Sequence, residues 1–148
     1  MKLQLDVWQR EQIRLLAGNV QGAAREIRKA IALMDSTVLT PKEKESVQYE
    51  ITFRGPVWKR GEKADAKKAV AISDPEAITL LKRMIEDQVI DIEAVEEWNT
   101  DRLPGYEDLC RQLKLDFDGF LEKGAEKRQK RQDAQAEAEM AAQETKED

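Results

Sequence analysis

Apolar residues recur at three- and four-residue steps along the first part of the chain: Ile13, Leu16, Val20, Ala23, Ile27, Ala30 and Met34. That spacing places them on one stripe of an α-helix, and a stripe of this length must be covered by the rest of the chain or by another copy. It predicts one long amphipathic helix over residues 6–34. Arg10, Glu11, Arg14, Gln21, Arg25, Arg28 and Lys29 then lie on its wet side. Asp6 caps the start, and Gln9 stands in the position that completes a capping box. Small Ala23 and Ala30 would admit a second helix closely. Glycine costs roughly 1 kcal/mol inside a helix, so Gly18 and Gly22 need a reason. Close packing is the first reading and a bend the second.

A second stripe follows Ser73-Asp74-Pro75-Glu76, a helix start with proline at the first helical position. Ile78, Ile85 and Ile92 repeat at seven residues, with Leu81, Val89 and Val95 between them. The two stripes suit a helical hairpin or a dimer with shared helices, with Ile13, Leu16, Val20, Ile27, Ile78, Leu81, Ile85 and Ile92 as the seam. Gln88 interrupts the second seam. Asp91, after the β-branched Val89-Ile90, could cap a fresh helix and divide the stretch in two.

Before the first stripe and between the two, the period changes from helical to alternating. Leu3, Leu5 and Val7 alternate with polar residues, as do Val47, Tyr49, Ile51 and Phe53. Residues 2–6 and 47–53 therefore read as strands, with Gly55-Pro56 as a turn and Val57-Trp58-Lys59 as a return strand. A charged loop over 60–68 leads to a further strand at 69–72. Thr40-Pro41-Lys42-Glu43 opens a short helix. Leu103-Pro104-Gly105 reads as a connection. Beyond it come a helical pattern with Tyr106, Leu109, Cys110 and Leu113, and an apolar group at Leu115, Phe117, Phe120 and Leu121. After Glu122 the chain turns to Ala, Glu, Lys and Gln. The fold class expected is α+β, predominantly helical: a long N-terminal amphipathic helix, a small antiparallel β-sheet, further C-terminal helices and a charged helical tail. Residues 1–121 are expected as one compact domain and 122–148 as a charged tail, helical or disordered.

The residue inventory narrows the chemistry. Histidine is absent, which removes the usual general base and the commonest metal ligand. Neither G-x-x-x-x-G-K-[ST] nor G-x-G-x-x-G occurs. The serines at 36, 46 and 73 have no histidine to activate them. Cys110, the single cysteine, sits at an apolar helical position, where core packing is the plainer account and an intracellular home the expectation. Glu86, Asp87, Asp91, Glu93, Glu96, Glu97 and Asp101 suit a solvated acidic face better than a metal site. No catalytic, cofactor-binding or metal residues are assigned, and no cofactor is expected. No long apolar run spans a membrane, and the start of the chain lacks a leader's apolar core, so a cytoplasmic protein is expected.

Two surfaces remain. Arg54, Trp58, Lys59, Arg60, Lys63, Lys67 and Lys68 form a basic cluster with one aromatic, suited to phosphates and a stacked base or to an acidic partner. The helical seams suit protein contacts. The expected function is a non-enzymatic interaction protein, a subunit or accessory factor of a larger bacterial or phage assembly, with a protein partner or a homo-oligomer. The alternative is a nucleic-acid-binding accessory protein working through residues 54–68. An enzyme using carboxylates and a recruited metal is the third reading.

Overall fold

A computed structural model describes residues 1–147, with side-chain surroundings through residue 145. The chain forms two compact units, the first spanning Met1–Met84 and the second running from Ile85 onward.

In the first unit, β1 (Lys2–Leu5) pairs antiparallel with β4 (Lys68–Ala71), Leu3 opposite Val70. Leu3, Leu5 and Val70 are buried, as strand alternation requires. Helix α1 (Val7–Gly18) starts on the expected capping box: Asp6 Oδ1 accepts from Gln9 N at 2.8 Å, and Gln9 Oε1 accepts from Asp6 N at 3.1 Å. The single long helix is not formed. α1 stops at Gly18, and α2 (Ala24–Thr37) runs back beside it, with Arg10 bonded to Thr37 and Arg14 to Met34. The reversal uses Gly22 at φ +145°, a conformation that only glycine adopts cheaply. A Cβ on Gly18 would meet only the end of Met34 at ordinary contact distance. The bend, not close packing, explains these glycines.

α3 (Pro41–Ser46) carries the second capping box, between Thr40 and Glu43. β2 (Glu50–Thr52) and β3 (Gly55–Val57) form a hairpin whose sheet is separate from β1–β4. The strand expected at 47–53 is shorter, because Val47 and Gln48 end α3. The turn is Phe53-Arg54, not Gly55-Pro56; Gly55, at φ +103°, begins the return strand. The expected loop over 60–68 contains a one-turn helix, α4 (Glu62–Asp65), and its last residue opens β4.

Helix α5 (Pro75–Val95) begins in the first unit, where Asp74 Oδ1 accepts from Glu76 N at 2.9 Å. It passes through Val89-Ile90-Asp91 without a break, so the division considered at Asp91 does not occur. In the second unit α6 (Arg102–Leu113) absorbs Leu103-Pro104-Gly105, expected as a connection, into its first turn. Proline costs nothing there because the first turn's N–H groups have no helical acceptor. α7 (Phe117–Glu147) lies beside α5: Lys123 pairs with Glu86, Lys127 with Asp91 and Arg128 with Glu93. The residue numbers rise together, so these two helices run the same way. Ile85, Val89, Ile92, Tyr106, Leu109, Cys110, Leu113 and Phe120 are buried in this unit. The charged tail is helical through Glu147, with residue 148 outside the described residues, and every side chain over 129–145 is exposed.

All three non-glycine residues at positive φ among the described residues, Gln48, Glu96 and Lys114, end helices. Each donates its N–H three residues back, to Glu45, Glu93 and Arg111. The residue after each donates five back, to Lys44, Ile92 and Cys110. This pairing satisfies the last free carbonyls of α3, α5 and α6.

Candidate functional site

The β2–β3 hairpin is fixed at its root and bare at its tip. At the root, Tyr49 and Trp58 stack with ring planes 8° apart and centroids 6.5 Å apart, against the buried cluster Val7, Leu39, Val47 and Ala64. Tyr49 Oη donates to Glu11 Oε2 at 3.1 Å, and Lys59 N donates to Val47 O at 2.7 Å. Burial, with the Glu11 carboxylate next, raises the Tyr49 hydroxyl above its ordinary pKa, so it stays a donor. Beyond this anchor, Ile51 is 75% exposed and Phe53 95%. The alternating pattern of the sequence identified an apolar strand face; the structure covers its Val47 end and leaves its Phe53 end in water.

Beneath Ile51 lies a groove of about 380 Å³ lined by Leu15, Met34, Tyr49, Pro56 and Trp58, with Glu11, Gln12 and Arg14 on its polar side. Leu15, on α1, is 58% exposed. Large apolar side chains over a preformed groove are thus left uncovered. Arg54 lies against the Phe53 ring at 5.4 Å and Lys44 against Tyr49 at 5.2 Å, so cations border the apolar surface.

The basic cluster read from the sequence is divided among four settings. Lys67 Nζ donates to the buried Gln9 at 2.7 Å, and Lys68 Nζ to Glu43 at 2.9 Å, which ties both to the packing around α1 and α3. Trp58 is half-buried in its stack, Arg54 stands at the hairpin tip, and Lys59, Arg60 and Lys63 line a cleft of about 300 Å³ with Ser46 and Gln48. Of the seam residues, Ile13, Ile78, Leu81, Ile85 and Ile92 are buried within the chain, while Leu16, Val20 and Ile27 are half-buried. Arg10, read as wet, is 3% exposed. Among the described residues no group of three carboxylate or thiol side chains is placed to hold a metal ion, and no helix is long and apolar enough to cross a membrane.

Compared with known protein families, curated proteins and solved structures, the chain shows no match. The site therefore stands on its own chemistry.

Charge divides the chain as the units do. Residues 1–84 carry 16 Lys and Arg against 11 Asp and Glu, whereas residues 85–148 carry 9 against 19. The modest overall charge of −5 conceals a basic unit and an acidic one. The hairpin and both clefts described above belong to the basic unit. Sequence reasoning missed Phe53 and Leu15 as surface residues, because periodicity reports which side chains share a face and not whether that face is covered.

Proposed function

We propose that the protein is a non-enzymatic interaction module, a subunit or accessory of a larger assembly, that docks an acidic protein segment bearing apolar anchors on the β2–β3 hairpin and its groove. The observation that carries this is Phe53, held almost wholly in water at the end of a rigidly rooted hairpin. Burying such a ring on a partner removes apolar surface from water and orders little that is not already ordered. The surrounding cations favour an acidic partner. A photo-crosslinking amino acid placed at Phe53 in cells tests it. A discrete protein adduct is expected there, with none from Lys42, which is exposed on α3. No adduct at Phe53, or adducts to nucleic acid alone, would overturn the proposal.

The second reading, a nucleic-acid accessory, is favoured by the cleft with Lys59, Arg60 and Lys63. It requires affinity that falls steeply with salt and that vanishes on reversing those three charges. Half-burial of Trp58 in the Tyr49 stack leaves that side chain poorly disposed to receive a base.

A further inference from the structure

The chain carries a second uncovered element, at its other end. Over residues 129–145 every side chain of α7 is exposed, and no element of the second unit covers this stretch. Helix over such a length, polar on all sides, is marginal in water without a partner. Residues 132–145 contain Asp133, Glu137, Glu139 and Glu144 and no lysine or arginine. Their one large apolar side chain is Met140, 63% exposed, and alanines at 136, 141 and 142 keep its surroundings small. A flexible thioether on a helix of small residues suits entry into a shallow apolar groove.

The chemistry of the hairpin groove is the complement. Leu15, Met34, Ile51, Pro56 and Trp58 supply an apolar floor and walls. Arg14 lines it, and Lys44 and Arg54 lie on the Tyr49 and Phe53 rings beside it, against Glu11, which Tyr49 already engages, and Glu50. An acidic helix with one apolar anchor and a cation-bordered apolar groove, both left open by the same chain, match in charge and in polarity. We infer that the occupant of the groove is residues 132–145 of a second copy of this chain, with Met140 seated between Leu15 and Ile51. The inference rests on the docking function proposed above and names the partner. Such a contact joins two different surfaces, so it generates a reciprocal dimer if it closes and a chain of molecules if it does not.

Sedimentation of the full-length protein over a range of concentrations, at low and high salt, tests this. Mass should rise with concentration at low salt and fall back at high salt. Leu15→Gln with Ile51→Thr, and separately Met140→Ser, should each weaken association by roughly tenfold or more, as loss of a central apolar anchor does. All three positions are exposed, so the fold should be untouched, and circular dichroism checks that. The decisive sample is an equimolar mixture. The groove variant retains an intact tail and the Met140 variant an intact groove, so together they should form a one-to-one complex that neither forms alone. A strict monomer at every concentration, or association indifferent to these substitutions, would overturn the inference. In that event a Phe53 adduct to a different protein would leave the docking function standing, whereas its absence would remove both.

Discussion

The guanidinium of Arg10 and the carboxylate of Glu43, 33 residues apart, meet in a two-pronged ion pair. The same guanidinium donates through Nε to Thr37 O at 3.2 Å and through Nη2 to Val38 O at 2.6 Å. One buried cation thus joins α1 to the end of α2 and to the start of α3. Glu43 also accepts from Thr40 N and Lys68 Nζ, which brings β4 into the same network.

Removing Arg10 leaves a carboxylate short of its main partner and two carbonyls without a donor. Arg10→Met, which preserves much of the volume, should cost about 3 kcal/mol in urea unfolding of the first unit, near the low end for a broken buried pair. Arg10→Lys should recover only part of this, because an ammonium cannot reproduce a planar fork that serves a carboxylate and two carbonyls together. A loss below about 0.5 kcal/mol for Arg10→Met would show that the network contributes no net stability.

The same pair dictates a pH response. The Arg10 guanidinium, assisted by Thr40 N and Lys68 and opposed by burial, holds Glu43 far below its ordinary value of 4.5. A carboxylate whose pKa is depressed on folding stabilises the protein above its unfolded value and loses that contribution as pH falls toward the folded one. The stability advantage of the native protein over Glu43→Gln should therefore be constant from neutral pH to about 5 and shrink steadily below pH 4.5. Urea midpoints of the two proteins across that range measure it.

Much of the fold was legible wherever the deciding contact is local. Asp6 with Gln9, and Thr40 with Glu43, announce helix starts because both partners lie within one turn. Arg10 reads as wet because a charged residue on a helix usually is, and its partners at 37, 38 and 43 are remote in sequence. The hairpin turn reads late because Gly-Pro is a strong turn signal, whereas the chain uses Gly55 for the residue after the turn. The candidate site was half legible. Trp58 and Lys59 were singled out, but coverage of the apolar face and the charge division between units depend on tertiary placement.

The helix ends were harder still, since Gln48, Glu96 and Lys114 occupy positions where glycine is the usual signal. Lys114, at φ 58° and ψ 44°, has an exposed side chain in the left-handed region. Lys114→Gly should relieve that backbone penalty, and the greater freedom of glycine in the unfolded chain offsets part of the gain. The expected net is a stabilisation of about 0.5 kcal/mol, read as a rise in thermal midpoint. A fall would show that the lysine charge at the helix end matters more than the backbone strain.

Cys110 offers a probe of the second unit. It is fully buried, and burial pushes its thiol up to about 12, so the reactive thiolate is scarce at neutral pH. Modification by a soluble disulfide reagent should proceed only through opening of α6. The labelling rate should rise with urea in step with loss of helix. Labelling of the native protein at the rate of a free thiol would contradict this.

At Gly124, α7 packs closely on α5. A Cβ there would lie 2.6 Å from the Glu93 Cβ and 2.7 Å from the Ile90 carbonyl oxygen. The obstacle is backbone, so a rotamer change cannot make room, and the helices must separate. Gly124→Ala gains about 1 kcal/mol of helix propensity and incurs an overpacking cost of about 1–3 kcal/mol. Separation also lengthens the Arg128 contact with Glu93 O, now 2.7 Å, and the Lys127 pair with Asp91, now 2.8 Å. The cost should win, with a net loss of about 1 kcal/mol or more and faster labelling of Cys110. Gly119→Ala is an unsuitable control, because its Cβ would strike the capping Asp116. Ala134→Gly is the better one: on the exposed part of α7 it should cost only the propensity term and leave Cys110 protected.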